Sequence, residues 1–183
     1  AIEDSRFYDH GGVDYIGMLR AGLAQFSEAR SQGASTITMQ VARNFYLSTE
    51  KTLTRKVYEV LLTWKIESLL TKDQILEAYM NQIFLGQRAY GFAAASEIYF
   101  GKPLKDVTVA EAAMLAGLPK GPSIYNPIVN PKRATARQQY IIDRMLDNRF
   151  ITAEQAAAAR TEKLRYKSQS EVAVHAEFVA ETA

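Results

Sequence analysis

The chain contains no cysteine and only two histidines, His10 and His175. The first absence removes disulfide staples, thiolate zinc sites and cysteine nucleophiles, without naming a compartment. Two histidines so far apart argue against a histidine-rich metal site. Proline is scarce as well. Four of the five fall between Gly117 and Pro131, which reads as an extended connection between helices. No apolar run reaches membrane-spanning length and no secretory leader is visible. The sequence opens on Ala1-Ile2-Glu3-Asp4 without an initiator methionine, and so reads as part of something longer. Neither charge dominates: 22 basic and 20 acidic residues leave a net charge of +2, too balanced for a nucleic-acid binder.

What is present describes a globular helical protein. At 183 residues and 48% hydrophobic, the chain can bury a core without a staple, roughly 68–70% of its unfolded surface. Thr71-Lys72-Asp73-Gln74, Thr108-Val109-Ala110-Glu111 and Thr152-Ala153-Glu154-Gln155 each match the capping box, in which a hydroxyl and a Glu or Gln satisfy backbone amides reciprocally. Asn130-Pro131 reads as an N-cap followed by proline at the first helical position. Gly101 stands where a helix over Ala93–Phe100 should end in a left-handed residue. Ile16, Leu19, Leu23 and Phe26 propose a helix over Asp14–Ala29. Only Val172–Phe178 alternates like a strand. The fold class is all-α. A single domain over residues 1–164 is expected, followed by a linker over 165–183, where helical periodicity is lost.

The segment Thr52–Leu70 invites closer geometry. At about 100° per residue, Leu53, Val57, Val60, Leu61 and Trp64 share one face, with Leu62, Ile66, Leu69 and Leu70 roughly opposite. Apolar on two sides, this helix is expected to be central and buried. Arg55 and Glu59 lie on its second side. They read either as a plain i,i+4 ion pair, worth about 0.2–0.5 kcal/mol, or as part of a pocket wall.

Three stretches could carry chemistry. Residues 3–12 hold Glu3, Asp4, Phe7, His10 and a Gly11-Gly12 turn. A carboxylate near aromatics gains proton affinity on desolvation and can act as a general acid or base. The plainer reading is a polar loop with His10 bonded to backbone. Residues 33–40 form a small, hydroxyl-rich loop running into a helix, where Ser35 or Thr36 can cap and free amides favour anions. Gln40, Arg43 and Asn44 follow, and arginine suits bidentate phosphate contact. From Arg20 to Lys65, seven cations face three carboxylates, either an anion site or a solvated face.

Together these stretches resemble the peptidoglycan glycosyltransferases, glycosyltransferase family 51. Glu3-Asp4-x-x-Phe7-x-x-His10-x-Gly12 is similar to the first motif of that family. Gly33-x-Ser35-Thr36-Ile37-Thr38-x-Gln40 is similar to the second, and Arg55-Lys56-x-x-Glu59 to the third. Lys72-x-x-Ile75-Leu76-Glu77-x-Tyr79-x-Asn81 resembles the fourth, and Tyr99-Phe100-Gly101-Lys102 agrees as well. The resemblance runs to about Leu164, with a tail like the run into the next domain of a class A penicillin-binding protein. The context Gln32-Gly33-Ala34-Ser35 is most similar to the Gram-negative type 1a proteins. Met39, where glutamine is common, and Met80, where leucine is common, depart from the pattern. The family's membrane helix does not appear in this sequence.

The resemblance implies a lysozyme-like helical fold with a catalytic cleft. It implies polymerisation of lipid II into β-1,4-linked glycan, with inversion and release of polyprenyl pyrophosphate. Glu3 is then the expected base. Arg43, Arg55 and Lys56 would stabilise the leaving pyrophosphate, with Ser35, Thr36, Gln40 and Asn44 on the sugar-phosphate and Asp4, Phe7, His10 and Glu77 in support. Glu59 would either hold a divalent cation, magnesium by its hardness, or orient Arg55 and Lys56. Moenomycin-type inhibitors and the membrane surface are implied partners, and nucleic acid is not. The implied location is the periplasmic face of the bacterial inner membrane. Part of Asp14–Ala29 would dip into the bilayer, or else bury its stripe in the core. Two other functions compete: a lytic glycan-cleaving enzyme on the same scaffold, which would not need the Arg43, Arg55 and Lys56 cations, and a non-catalytic module that binds lipid-linked glycan.

Overall fold

A computed structural model describes residues 2–19, 35–46 and 52–167. Most of the expected Asp14–Ala29 helix, and the alternating Val172–Phe178, lie outside the described residues; residues 15–19 are helical. Seven α-helices are described: α1 (Ile37–Tyr46), α2 (Leu53–Leu69), α3 (Lys72–Gln82), α4 (Phe92–Phe100), α5 (Val109–Gly117), α6 (Pro131–Asp147) and α7 (Ala153–Thr161). Short 3-10 turns occupy Phe7–Asp9 and Leu104–Asp106. Among the described residues there is no strand, and the one bridge joins Phe84 and Tyr90. The all-α expectation holds. The chain gathers into two compact units, Ala1–Ile83 and Phe84–Ala183.

In the first unit α1 is the buried centre. Ile37, Thr38, Met39, Gln40, Val41 and Ala42 are all buried, six consecutive residues that span more than one turn and hence every side of the helix. It packs against both α2 and α3. The expectation that the Thr52–Leu70 helix is central and buried is therefore corrected. Its stripe faces outward, with Leu53 84%, Val57 54%, Leu61 50% and Trp64 46% exposed. The inward face of α2 is instead Glu59, Thr63 and Ile66. Periodicity locates the apolar side of a helix, but here the inward side is decided by a polar network that satisfies itself. Thr63 Oγ1 donates to the Glu59 carbonyl at 2.7 Å, and the Glu59 carboxylate finds two cations.

In the second unit α5 packs on α6 and α7. Buried Ala110, Ala113, Ala134, Ala156 and Ala159 let the helices approach closely around Met114, Leu115, Ile141 and Ile142. The buried Gln138 donates to the Ala110 carbonyl at 2.8 Å. All three capping boxes form as read, at Thr71, Thr108 and Thr152, and Gly101 ends α4 with φ +69°. Pro131 does begin α6, but the Asn130 side chain makes no cap and donates instead to the Ser123 carbonyl. The tail stays fastened as far as residue 167: Lys167 N donates to the Tyr99 carbonyl at 2.9 Å and Tyr166 stacks on Phe100.

Tyr99 ties this unit together. It is fully buried, its hydroxyl donates to the Leu85 carbonyl at 2.9 Å, and burial pushes its pKa up to about 12. Tyr99→Phe leaves that buried carbonyl short of a donor. The expected loss is about 1–3 kcal/mol, a thermal midpoint lower by roughly 2–12 °C, measured by circular dichroism. An unchanged midpoint would refute the assignment.

Candidate active site

Every candidate residue from the four motifs lies in the first unit. The loop carrying Glu3 to Gly12 is fastened to the start of α1 by several bonds. Thr36 Oγ1 donates to the Gly12 carbonyl at 2.5 Å and accepts from Met39 N at 3.2 Å, so this hydroxyl caps α1 and ties down the loop together. Asp4 Oδ2 accepts from Ile37 N at 3.2 Å, in the first turn of α1, where orphan amides and the helix dipole favour a carboxylate. His10 Nδ1 accepts from Gly12 N, which leaves the ring proton on Nε2, facing Asp4 at 3.0 Å. Gly12 has φ +89°, and a Cβ there would lie 2.5 Å from Thr63 Cγ2 and 2.8 Å from Glu67 Cγ. Only glycine lets the loop turn left-handed this close to α2.

Glu67 belongs to none of the four motifs. Its Oε1 accepts from Thr38 Oγ1 at 2.6 Å and from Lys72 Nζ at 2.7 Å, and Lys72 sits 4.5 Å from the centre of the Phe7 ring. One carboxylate thus joins α1, α2, the start of α3 and the first loop. No sequence motif flags it, because its partners are 29 and 5 residues away. Phe7 is buried beneath this cluster, and Tyr8 donates to Asp73 at 2.9 Å.

That scaffold presents Glu3. The Glu3 carboxylate, only half-buried, accepts from Gln40 Nε2 at 3.1 Å. Arg43 follows Gln40 by three positions, on the same side of α1, and forms no ion pair with a described residue. Glu3 and Arg43 both act electrostatically on the buried hydroxyl of Tyr79, from α3. Ser35 is half-buried and Asn44 exposed, and neither side chain hydrogen-bonds to a described residue. Thr36, expected on the substrate, has its hydroxyl committed to the cap and the loop. The Glu77 side chain is exposed on α3 and makes no hydrogen bond to any described residue.

Arg55, Lys56 and Glu59 form a second cluster on α2. Glu59 is completely buried. Arg55 Nη1 lies 3.0 Å from one carboxylate oxygen and Lys56 Nζ 2.5 Å from the other. With both oxygens engaged by cations and no further carboxylate grouped with it among the described residues, Glu59 does not fit a divalent metal. It fits the other reading, a counter-ion that orients the two cations. Asp4, His10 and Asp14 do bring ligand atoms within 4.8 Å of one another. There, however, the His10 proton is directed at Asp4, and Asp14 accepts from Gly17 N at 2.8 Å beside Arg6. That group is a hydrogen-bonded buckle.

Burying a carboxylate costs several kcal/mol unless it is paired, and stripping one member from a buried pair leaves charge uncompensated. Glu59→Ala is expected to destabilise the protein by about 3 kcal/mol, measured by urea denaturation. A midpoint equal to the wild type would show that the cations do not depend on this carboxylate.

Comparisons with known proteins agree with the four motifs. The transglycosylase family model matches residues 1–146. A Cupriavidus necator protein named as a transglycosylase is 62% identical over 167 residues, covering 91% of this chain and 72% of that protein. Penicillin-binding protein 1A of Neisseria gonorrhoeae is 61% identical over 168 residues, 91% of this chain but 21% of that protein. The crystal structure of penicillin-binding protein 1A from Haemophilus influenzae superposes with a TM-score of 0.52 at 33% identity, over 80% of this chain and 20% of that one. The chain therefore spans about a fifth of the penicillin-binding proteins it matches. It belongs to the transglycosylase family, the peptidoglycan glycosyltransferases that its motifs resemble.

Proposed function

We propose that this chain polymerises lipid II into β-1,4-linked glycan, with Glu3 as the base. The observation that carries the reading is the Glu3 carboxylate held by Gln40, one turn from an arginine with no ion-pair partner among the described residues. The acceptor's 4-hydroxyl gives its proton to Glu3, and its oxygen attacks the anomeric carbon of the lipid-linked donor. The bond from that carbon to the polyprenyl pyrophosphate breaks, and its electron pair leaves with the pyrophosphate. Attack opposite the leaving group turns the α linkage into β. Negative charge grows on the pyrophosphate, and preorganised cations act strongly there. Arg43 is the proposed partner of that charge. Arg55 and Lys56 contribute with Glu59 setting their geometry, and no divalent ion is assigned to Glu59. Ser35, Gln40 and Asn44 are the proposed contacts to the sugar-phosphate, and moenomycin-type inhibitors would compete for them.

Glu3→Gln preserves the Gln40 contact region and removes the base. Glycan formation from labelled lipid II, resolved on a gel, is expected to fall by roughly 10²–10⁴-fold. A ladder of wild-type intensity would overturn the assignment of Glu3. A lytic enzyme would instead shorten preformed glycan, and no observation favours that reading or a non-catalytic module.

The proposed setting is the periplasmic membrane surface, where a polyprenyl-linked substrate resides. Among the described residues no helix is long and apolar enough to cross a membrane. The exposed Tyr15, Ile16, Met18 and Leu19, together with the outward stripe of α2, supply apolar surface suited to interfacial binding. Trp64, the single tryptophan of the chain, lies on that stripe and reports on it. Phospholipid vesicles are expected to shift its fluorescence to shorter wavelength; an unmoved spectrum would remove α2 from the membrane contact.

A further inference from the structure

Tyr79 is 4% exposed, among the buried residues on α3, yet its hydroxyl has no hydrogen-bond partner among the described residues. Buried polar atoms are nearly always paired, so each exception asks for an explanation. Phenylalanine would fill the same space, pack the same ring and leave nothing unsatisfied. Tyr99, the comparably buried tyrosine of the second unit, does have its partner at 2.9 Å. The hydroxyl of Tyr79 therefore serves something other than the packing of α3 on α1.

Its surroundings indicate what. The charges that bear on it are the Glu3 carboxylate, which the proposed reaction uses as base, and the Arg43 guanidinium, which has no ion-pair partner among the described residues. Burial, reinforced by Glu3 and opposed by Arg43, drives its pKa far above the ordinary 10.0. The group thus keeps its proton and is a permanent hydrogen-bond donor. A donor that shares its electrostatic surroundings with a cation is complementary to an oxygen carrying negative charge.

We infer that the Tyr79 hydroxyl is a substrate-binding donor, giving its hydrogen bond to an oxygen of the sugar diphosphate that Arg43 receives. This rests on the glycosyltransferase reading and adds to it a residue of the fourth motif to which the resemblance gives no role. The contact is made only when substrate fills the space, so the free protein carries an unsatisfied group.

The test compares Tyr79→Phe with Tyr99→Phe, in lipid II polymerisation and in thermal unfolding of the whole chain. Tyr79→Phe is expected to lower kcat/KM by roughly tenfold to a hundredfold, the worth of a hydrogen bond to a charged oxygen. Its thermal midpoint should equal or exceed the wild type, because an orphaned polar atom is gone. Tyr99→Phe should do the reverse, lowering the midpoint and leaving kcat/KM unchanged. A Tyr79→Phe protein with wild-type kcat/KM would overturn the inference and leave the transferase reading standing. A lowered midpoint in Tyr79→Phe would overturn it as well, by showing that the hydroxyl has a structural partner. A wild type that forms no glycan would overturn both.

Discussion

The fastening of the first loop onto the start of α1 is the constraint on which the site depends. Glu3 is held at a useful place because its neighbour Asp4 is bonded to Ile37 N and to His10, and because Thr36 joins the α1 cap to the Gly12 carbonyl. None of these groups needs to touch a substrate. They fix the backbone from which the carboxylate projects, while Gln40 fixes the carboxylate itself. Precise placement of a reacting group supplies a large share of rate enhancement, and for the proposed base several modest hydrogen bonds supply the placement.

Charge is arranged around this loop in two ways. On α2, Glu59 is entirely buried and neutralised by Arg55 and Lys56, so one carboxylate governs the position of two cations. On α1, Arg43 stays without an acidic partner among the described residues. In the proposed reaction an anionic substrate meets two cations already oriented and a third, Arg43, with no acidic partner among the described residues. The second unit, held by close helix packing and the Tyr99 bond, carries none of the candidate residues.

Local chemistry was legible in the sequence, and long-range choices were not. The boxes at Thr71, Thr108 and Thr152 formed because all their atoms lie within four residues. Asn130 departed from expectation because its side chain found the carbonyl of Ser123, seven residues back. The burial of α1 rather than α2 was hidden for the same reason: the hydrophobic pattern of α2 is strong, but Glu59 and Thr63 claim the interior face. Thr36 looked available to a substrate until its two bonds were seen. Glu67 had no signature, since its partners come from α1 and from beyond the end of α2. The motif residues were legible as a group, and the division of labour among them emerged only with the geometry.

The central claim is a single displacement assisted by one base, with no glycosyl-enzyme intermediate. The anomeric configuration of the newly formed bond tests it most directly, read by proton NMR on glycan made from α-linked lipid II. The account predicts β linkages throughout. New α linkages would mean retention, and would contradict the role given to Glu3.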